Sequence, residues 1–166
     1  MPTSIFSRKR DLAYLAFFTI HIPTILCVDI VPFYPDAYTP AFLNDLRSWY
    51  IATYNDRLFT HPPAWFNLYL LIEMLYHLPL SIWAIPALLR DDPLVPLHLL
   101  VFALEAAITT ATCLADMLSW EEFGREQRVA LGWLYGPYLL LAVFMSGDMF
   151  LRLSGTLKGV GKAKRA

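Results

Sequence analysis

The sequence predicts an all-α membrane protein, a bundle of four transmembrane helices with a short amphipathic helix in its first lumenal loop. The 166 residues are 57% hydrophobic and only 16% charged, whereas soluble domains are nearer half apolar and a quarter charged. Four apolar segments each reach the roughly 20 residues that cross a hydrocarbon core. The basic residues are unevenly shared between the connections, as the positive-inside rule requires of a multi-pass protein.

The apolar segments define one domain over residues 12–150, between a short cytosolic N-terminus, 1–11, and a basic cytosolic tail, 151–166. We predict the spans at 12–31, 64–89, 94–118 and 129–150. The first follows three basic residues and has no small-residue cleavage site, which favours a retained signal anchor over a signal peptide.

The first connection contains a further helix signal. Thr39 is typical of an N-cap, and Pro40 suits the first helical position. Residues 41–50 then form an amphipathic pattern, which predicts a helix on the membrane surface with Trp49 and Tyr50 at headgroup level. We expect Asp56 to have a structural role, as a cap or partner that holds this loop against the bundle.

The basic residues also predict orientation. Nine of the 13 lie in the N-terminus, the second loop and the tail, so both termini should be cytosolic. Lys162 and Lys164 stand fifth and third from the end, a spacing that resembles a dilysine retrieval signal. We therefore expect a multi-pass protein of the endoplasmic reticulum membrane, with the nuclear envelope as an alternative.

Acidic residues inside the apolar spans need a reason, because charge at that depth is costly. On the second span, polar and aromatic residues recur at intervals of four and share one helix face: Trp65, Tyr69, Glu73 and His77. We expect this face to point into the bundle. Helix rise brings Asp29, Thr110 and Tyr138 to a comparable depth, with Tyr135 nearby.

Two carboxyl groups at one dry level cannot both ionise cheaply, so we expect a shared proton, with Glu73 neutral and donating and Asp29 ionised. Such a pocket suits a lipophilic ligand with a protonated amine, or a sterol with one hydroxyl. The alternative is that the acids only join helices. We favour function for Asp29 and Glu73 and helix contacts for His98, Glu105, Asp116 and Asp148, and leave His21 and His77 open.

Several other function classes lack a signal. A net charge of −1 gives no footprint for nucleic acid. The two cysteines lie in apolar runs without zinc spacing, and of the four histidines only His77, with Glu73, has ligand-like helical spacing. We therefore expect no metal, no cofactor, and no nucleophilic triad or phosphate-binding glycine loop.

Several stretches spread over the spans make the chain resemble the sigma-2 receptor family, as a fungal-type member, within the EXPERA group that also holds the sterol Δ8–Δ7 isomerases. They are His21-Ile22-Pro23 with Asp29, Trp49-Tyr50 with Asp56, Pro62-Pro63-Ala64-Trp65-Phe66 with Glu73 and Leu78-Pro79, Thr109-Thr110, and Tyr135-Gly136-Pro137-Tyr138-Leu139-Leu140. The proline-rich stretch with Glu73 is the most specific of them. Glu105 and Asp116 depart from the animal pattern as additional acids.

The resemblance implies a homodimeric, non-enzymatic reticulum protein that binds sterols or cationic amphiphiles and acts in cholesterol trafficking. In it Asp29 takes the amine and Glu73 hydrogen-bonds to Asp29. Asp56 is structural, and the remaining pocket residues are His21, Trp49, Thr110, Tyr135 and Tyr138, to which we add His77. Membrane lipid and sterol-transport membrane proteins are the other expected partners.

Two other functions stay open at the level of sequence. A sterol isomerase needs an acid and a base, for which Glu73 with His77, or Glu105, would serve. A reticulum membrane factor that assists the handling of membrane or mitochondrial precursor proteins would need the pocket only for regulation, or not at all.

Overall fold

The structure, a computed structural model, describes residues 3–163, apart from the side chains at positions 36, 162 and 163, and contains no strand within that range. Its α-helices are α1 (Lys9–Thr24), α2 (Ala41–Tyr54), α3 (Arg57–Thr60), α4 (Ala64–Ile72), α5 (Leu78–Leu89), α6 (Val95–Leu118) and α7 (Arg125–Ala163). Lys164 and the side chain of Lys162, the predicted retrieval signal, lie outside the described residues.

Two wide, π-helical turns interrupt the first two long helices. Ile25–Asp29 extends α1, and Glu73–His77 joins α4 to α5 without a break. Both turns lie beside a proline, Pro23 and Pro79 respectively. Proline has no N–H and its ring displaces the carbonyl four residues earlier. For Pro79 that carbonyl belongs to Leu75, inside the second turn, where the wider spacing accommodates it.

Four helical segments are long and apolar enough to cross a membrane: Lys9–Asp29, Ala64–Leu89, Val95–Leu118 and Arg125–Gly161. The predicted fold class is therefore confirmed. The last helix begins before residue 129 and continues past residue 150, where no proline follows Phe150 to end it. The tail placed at 151–166 thus begins as a continuation of this helix.

Two hydrophobic cores fill opposite ends of the bundle. At the end that carries the N-terminus, here called the terminal end, Phe18, Leu99 and Met149 pack together. At the opposite end, here called the loop end, Leu58 and Trp120 are buried with their neighbours. Helix α1 packs mainly on α5, and α6 packs along α7.

An ion-pair network joins α1 to α7 at the terminal end. Asp11 and Asp148 are only 4% and 5% exposed. The guanidinium of Arg152 donates to both carboxylates, at 2.6 and 2.7 Å. Arg10 and the Tyr14 hydroxyl also donate to Asp148, at 2.6 and 2.9 Å. Each buried carboxylate is thereby satisfied. This network, here called the terminal clasp, holds the two helices together.

Asp56 anchors the first connection at the loop end. It caps α3 by accepting the Leu58 N–H at 2.9 Å, and it also accepts the hydroxyls of Tyr50 and Tyr135 at 2.8 and 2.7 Å. Burial raises the pKa of Asp56 above its ordinary value, although the three hydrogen bonds act in the opposite direction. Its contacts are those of a structural residue.

The amphipathic helix exists, but it presents its aromatic residues differently from the prediction. Tyr50 turns inward to Asp56 instead of lying at headgroup level, because a buried carboxylate needs its hydroxyl as a donor. Burial, and after it the charge of Asp56, raises the pKa of Tyr50, so the phenol stays protonated and donating. Trp49, its neighbour, is exposed.

Candidate functional site

A cavity of about 490 Å³ lies between the two hydrophobic cores. Residues of all four spans line it, together with Tyr50 and Phe59 from the first connection. Its size falls in the range of small-molecule sites, which are mostly apolar with a few polar groups. Its ionisable residues other than tyrosine and cysteine are His21, Asp29, Glu73, His77 and Glu105.

The two π-helical turns supply three of these groups. Asp29 ends the first turn, and Glu73 and His77 begin and end the second. Single wide turns in α-helices occur frequently at functional sites, since they redirect side chains at some cost to the backbone. Here both turns border the same cavity, so the distortions coincide with the polar groups.

Seven of the eight predicted ligand-binding residues line the cavity: Asp29, Glu73, His21, His77, Thr110, Tyr135 and Tyr138. The structure does not bring the eighth, Trp49, to it. Its indole is 57% exposed and lies edge-on to Tyr54, with ring centroids 6.2 Å apart. On α2 the residue that reaches inward is the next one, Tyr50.

Asp29 and Glu73 face one cavity and interact electrostatically. Within residues 3–163 no hydroxyl or N–H of another side chain donates to either carboxyl group; the hydrogen bond that the resemblance implies between the two acids stays a prediction. Both carboxyl groups are therefore free to bind a donor in the cavity. Thr110 donates its hydroxyl to the Ala106 carbonyl at 2.7 Å, which leaves it an acceptor on the cavity side.

A second polar group in the cavity combines both buried histidines with Glu105. Nε2 of His77, at the end of the second π-helical turn, contacts Oε2 of Glu105 on α6. The rings of His21 and His77 lie 6.2 Å apart, and His21 stacks on Phe17. Ligand-type atoms of His21, Glu73 and His77 all lie within 4.8 Å of one another.

Sequence reasoning missed this second group. His21 comes from a different span and has no spacing relation to Glu73, and Glu105 was favoured as a helix contact, with a catalytic role only in the isomerase alternative. The available signal was position: Glu105 shares a helical face with Thr109, which lines the same cavity. The other acids expected to be structural do have protein partners; Asp116, for example, accepts the Trp120 indole N–H at 3.1 Å.

We infer that the cavity opens sideways between α1 and α7. Its exposed lining residues include Ile20 on α1 and Leu134 on α7, which are 68% and 40% exposed. Both are apolar and lie within segments long enough to span a membrane. An opening at this position would face the hydrocarbon region rather than an aqueous phase.

Comparisons with known proteins agree on one group. The family model EXPERA (EXPanded EBP superfamily) matches residues 42–149. The chain is 26% identical to Sigma intracellular receptor 2 of Xenopus tropicalis, over 86% of this chain and 88% of that protein. It is 27% identical to the human protein of the same name, over 75% and 78%. It is also 26% identical to Efficient mitochondria targeting-associated protein 19 of Schizosaccharomyces pombe, over 86% and 76%.

Proposed function

This chain belongs to the EXPERA family, and from that premise we propose that it binds a sterol or a lipophilic cationic amine in its intramembrane cavity. We place it in the endoplasmic reticulum membrane, with a role in sterol homeostasis or trafficking. It acts in this proposal as a receptor or carrier and not as an enzyme.

One observation carries the proposal. Asp29 and Glu73 bring two carboxyl groups, to which no hydroxyl or N–H of another described side chain donates, into a mostly apolar and aromatic cavity. A carboxylate in such surroundings gains from a cation that brings its own apolar body, because the ion pair forms away from water. An ammonium group on a hydrophobic skeleton has both properties.

A sterol would fit the same site with a different balance between apolar burial and hydrogen bonding. Its rings bury apolar surface, worth about 25 cal/mol per Å², and its single hydroxyl needs one acceptor or donor. Asp29, Glu73 and the acceptor face of Thr110 offer that choice. The sideways opening between α1 and α7 would admit either ligand from the bilayer.

Binding of a radiolabelled lipophilic amine to the purified full chain in nanodiscs tests the proposal. Asp29→Asn should weaken amine binding at least tenfold, as expected when a charge-assisted hydrogen bond of about 1.5–3 kcal/mol is lost. Asp45→Asn on the exposed face of α2 is the matched control and should bind normally. Equal affinity in the wild type and Asp29→Asn would remove the ion pair from the proposal.

A sterol isomerase is the second candidate, because the structure places His77, Glu105 and Glu73 together on one cavity. An acid and a base within reach of one substrate are what moving a double bond requires. Expression in a yeast strain that lacks its sterol isomerase decides between the two. Restored growth and sterol profile would establish the enzyme; an unchanged sterol profile favours the receptor.

The name of the Schizosaccharomyces pombe relative favours a third candidate, a membrane factor that assists the handling of membrane or mitochondrial precursor proteins. Proximity labelling in cells, with and without a pocket-filling amine, tests it. Labelled precursor proteins whose yield changes with the amine would support this role. Labelling of sterol-transport membrane proteins would support the first proposal.

The proposal includes an arrangement in the cell. Both termini are cytosolic, the chain forms a homodimer, and Lys162 and Lys164 return it to the reticulum. Protease protection of tags at each terminus tests orientation, and crosslinking in intact membranes tests the dimer. Replacing both lysines by serine should release the chain to later compartments, which microscopy of a tagged chain would show.

A further inference from the structure

We propose that His21, Glu73 and His77 form a binding site for one divalent transition-metal ion, with Zn²⁺ as the ion that fits best. The site needs only these side chains and does not depend on the proposed sterol or amine ligand. It would bring three separate parts of the fold, α1 and the two ends of the second π-helical turn, onto a single ion.

The donor set and its spacing support an ion. Two imidazoles and one carboxylate form the zinc ligand set that leaves a fourth position open. Their ligand-type atoms lie within 4.8 Å of one another. Ligands of a tetrahedral ion at about 2.0–2.1 Å are separated by roughly 3.4 Å, so closure needs side-chain movements of about 1 Å.

Unpartnered nitrogen atoms provide an independent observation. His21 and His77 are only 5% and 4% exposed. Nε2 of His21 and Nδ1 of His77 have no hydrogen-bond partner among the described residues. A buried polar atom without a partner costs about 1–3 kcal/mol, and such orphans call for a specific explanation. A metal bond would satisfy both nitrogens at once.

Glu105 is not one of the three proposed ligands, but it supports one of them. Its carboxylate contacts Nε2 of His77. A carboxylate in that position holds the proton on Nε2 and leaves the Nδ1 lone pair for the ion, as is usual for metal-binding histidines. Glu73 and Glu105 together would also neutralise the two charges of the ion, which a low-dielectric cavity requires.

The ligand chemistry selects the class of ion. Calcium and magnesium prefer sites made of oxygen ligands, whereas imidazole with carboxylate suits zinc and its neighbours in the first transition row. A simple His77–Glu105 contact is the competing interpretation. It would use neither His21 nor Glu73, so substitutions separate the two.

Co²⁺ titration of the purified full chain in detergent micelles tests the site, because four-coordinate Co²⁺ absorbs in the visible range. We expect one equivalent of Co²⁺ to bind and to be displaced by Zn²⁺. His21→Gln and His77→Gln should each weaken Zn²⁺ binding at least 100-fold. Glu105→Gln should weaken it 10–100-fold, as outer partners of metal ligands typically do.

The other two histidines of the chain serve as matched controls. His61 is exposed in the first connection, and His98 packs against Trp83 on α5. His61→Gln and His98→Gln should bind Zn²⁺ as the wild type does. Equal losses in these controls, or wild-type binding no tighter than that of His21→Gln, would overturn the site.

Two measurements keep the test decisive. If a variant melts at a lower temperature without metal, X-ray absorption of the Zn²⁺-loaded wild type replaces it; two imidazole nitrogens at 2.0–2.1 Å support the site, and an all-oxygen shell overturns it. Asp29→Asn lies outside the ligand set and should weaken Zn²⁺ binding far less than His21→Gln does, even where amine binding is lost. The proposed function and the metal site can therefore fail separately.

Discussion

At the scale of single residues, the buried polar groups divide into satisfied and unsatisfied ones. Asp56, Asp11 and Asp148 each have several donors and hold elements together. In the cavity, Asp29 and Glu73 have none from other side chains. A carboxyl group that the fold leaves without a partner is a better candidate for ligand contact than one that it satisfies.

Asp56 provides the prediction at this scale. Asp56→Ala leaves three donors without an acceptor, the Leu58 N–H and the hydroxyls of Tyr50 and Tyr135. We expect a loss of about 3 kcal/mol in the free energy of unfolding. Thermal melting in detergent, followed by tryptophan fluorescence, measures it. Asp45→Ala, exposed on α2, should melt as the wild type; an Asp56→Ala chain that does so too would contradict the structural role.

Several residue assignments followed from sequence because membrane burial makes polarity expensive. That argument placed Asp29, Glu73 and Thr110 at one depth, and all three line the cavity. The predicted headgroup position failed for Tyr50, and the structure does not bring Trp49 to the pocket as the resemblance implied, because one residue along a helix turns the side chain by 100°. Which of two neighbouring aromatics faces inward depends on Asp56, a partner that periodicity does not reveal.

At the scale of elements, the helices were predictable from hydropathy, whereas the π-helical turns were not. The prolines at positions 23 and 79 predict where the backbone hydrogen bonds of a helix are disturbed. They do not predict whether the helix kinks or forms a π-helical turn there. In a π-helical turn each backbone hydrogen bond spans one more residue than in an α-helix. The side chains that follow the turn are therefore rotated around the helix axis.

The opening between α1 and α7 gives the prediction for the elements. Ile20→Trp adds bulk at the exposed edge of the cavity, so a lipophilic amine should associate about tenfold more slowly, with a smaller change in equilibrium affinity. Ile82→Trp, also exposed but on α5 and away from the cavity, is the matched control. Association rates of radiolabelled amine in nanodiscs measure the effect. Unchanged rates in Ile20→Trp would place the entrance elsewhere.

At the scale of the whole molecule, two fixed ends enclose a less densely packed middle. The terminal clasp joins α1 to α7 through Arg152 and Arg10, and Asp56 ties the first connection to α7 at the loop end. Between them the cavity lies among all four spans, where Phe17 on α1 and Tyr138 on α7 remain in contact, with ring centroids 5.7 Å apart. The number of spans could be predicted from composition, but the cavity depends on which helices meet, a long-range property.

Arg152 provides the prediction for the molecule as a whole. Arg152→Gln removes the donor shared by Asp11 and Asp148, which are both buried. Breaking a buried pair from one side costs about 3–5 kcal/mol, so the melting temperature should fall clearly. Arg90→Gln removes a contact with Asp92 in the exposed turn between α5 and α6 and should change little. Equal melting of the two variants would show that the clasp does not stabilise the bundle.

The sideways opening has a consequence for how affinity should be measured. A ligand that enters from the hydrocarbon core binds according to its concentration in the lipid, not according to its concentration in the buffer. Two amines with identical contacts to Asp29 would then differ in apparent potency by the ratio of their partition coefficients. Acyl chains and native sterols would occupy the same entrance as rivals, so a single compound should show different potencies in bilayers of different composition.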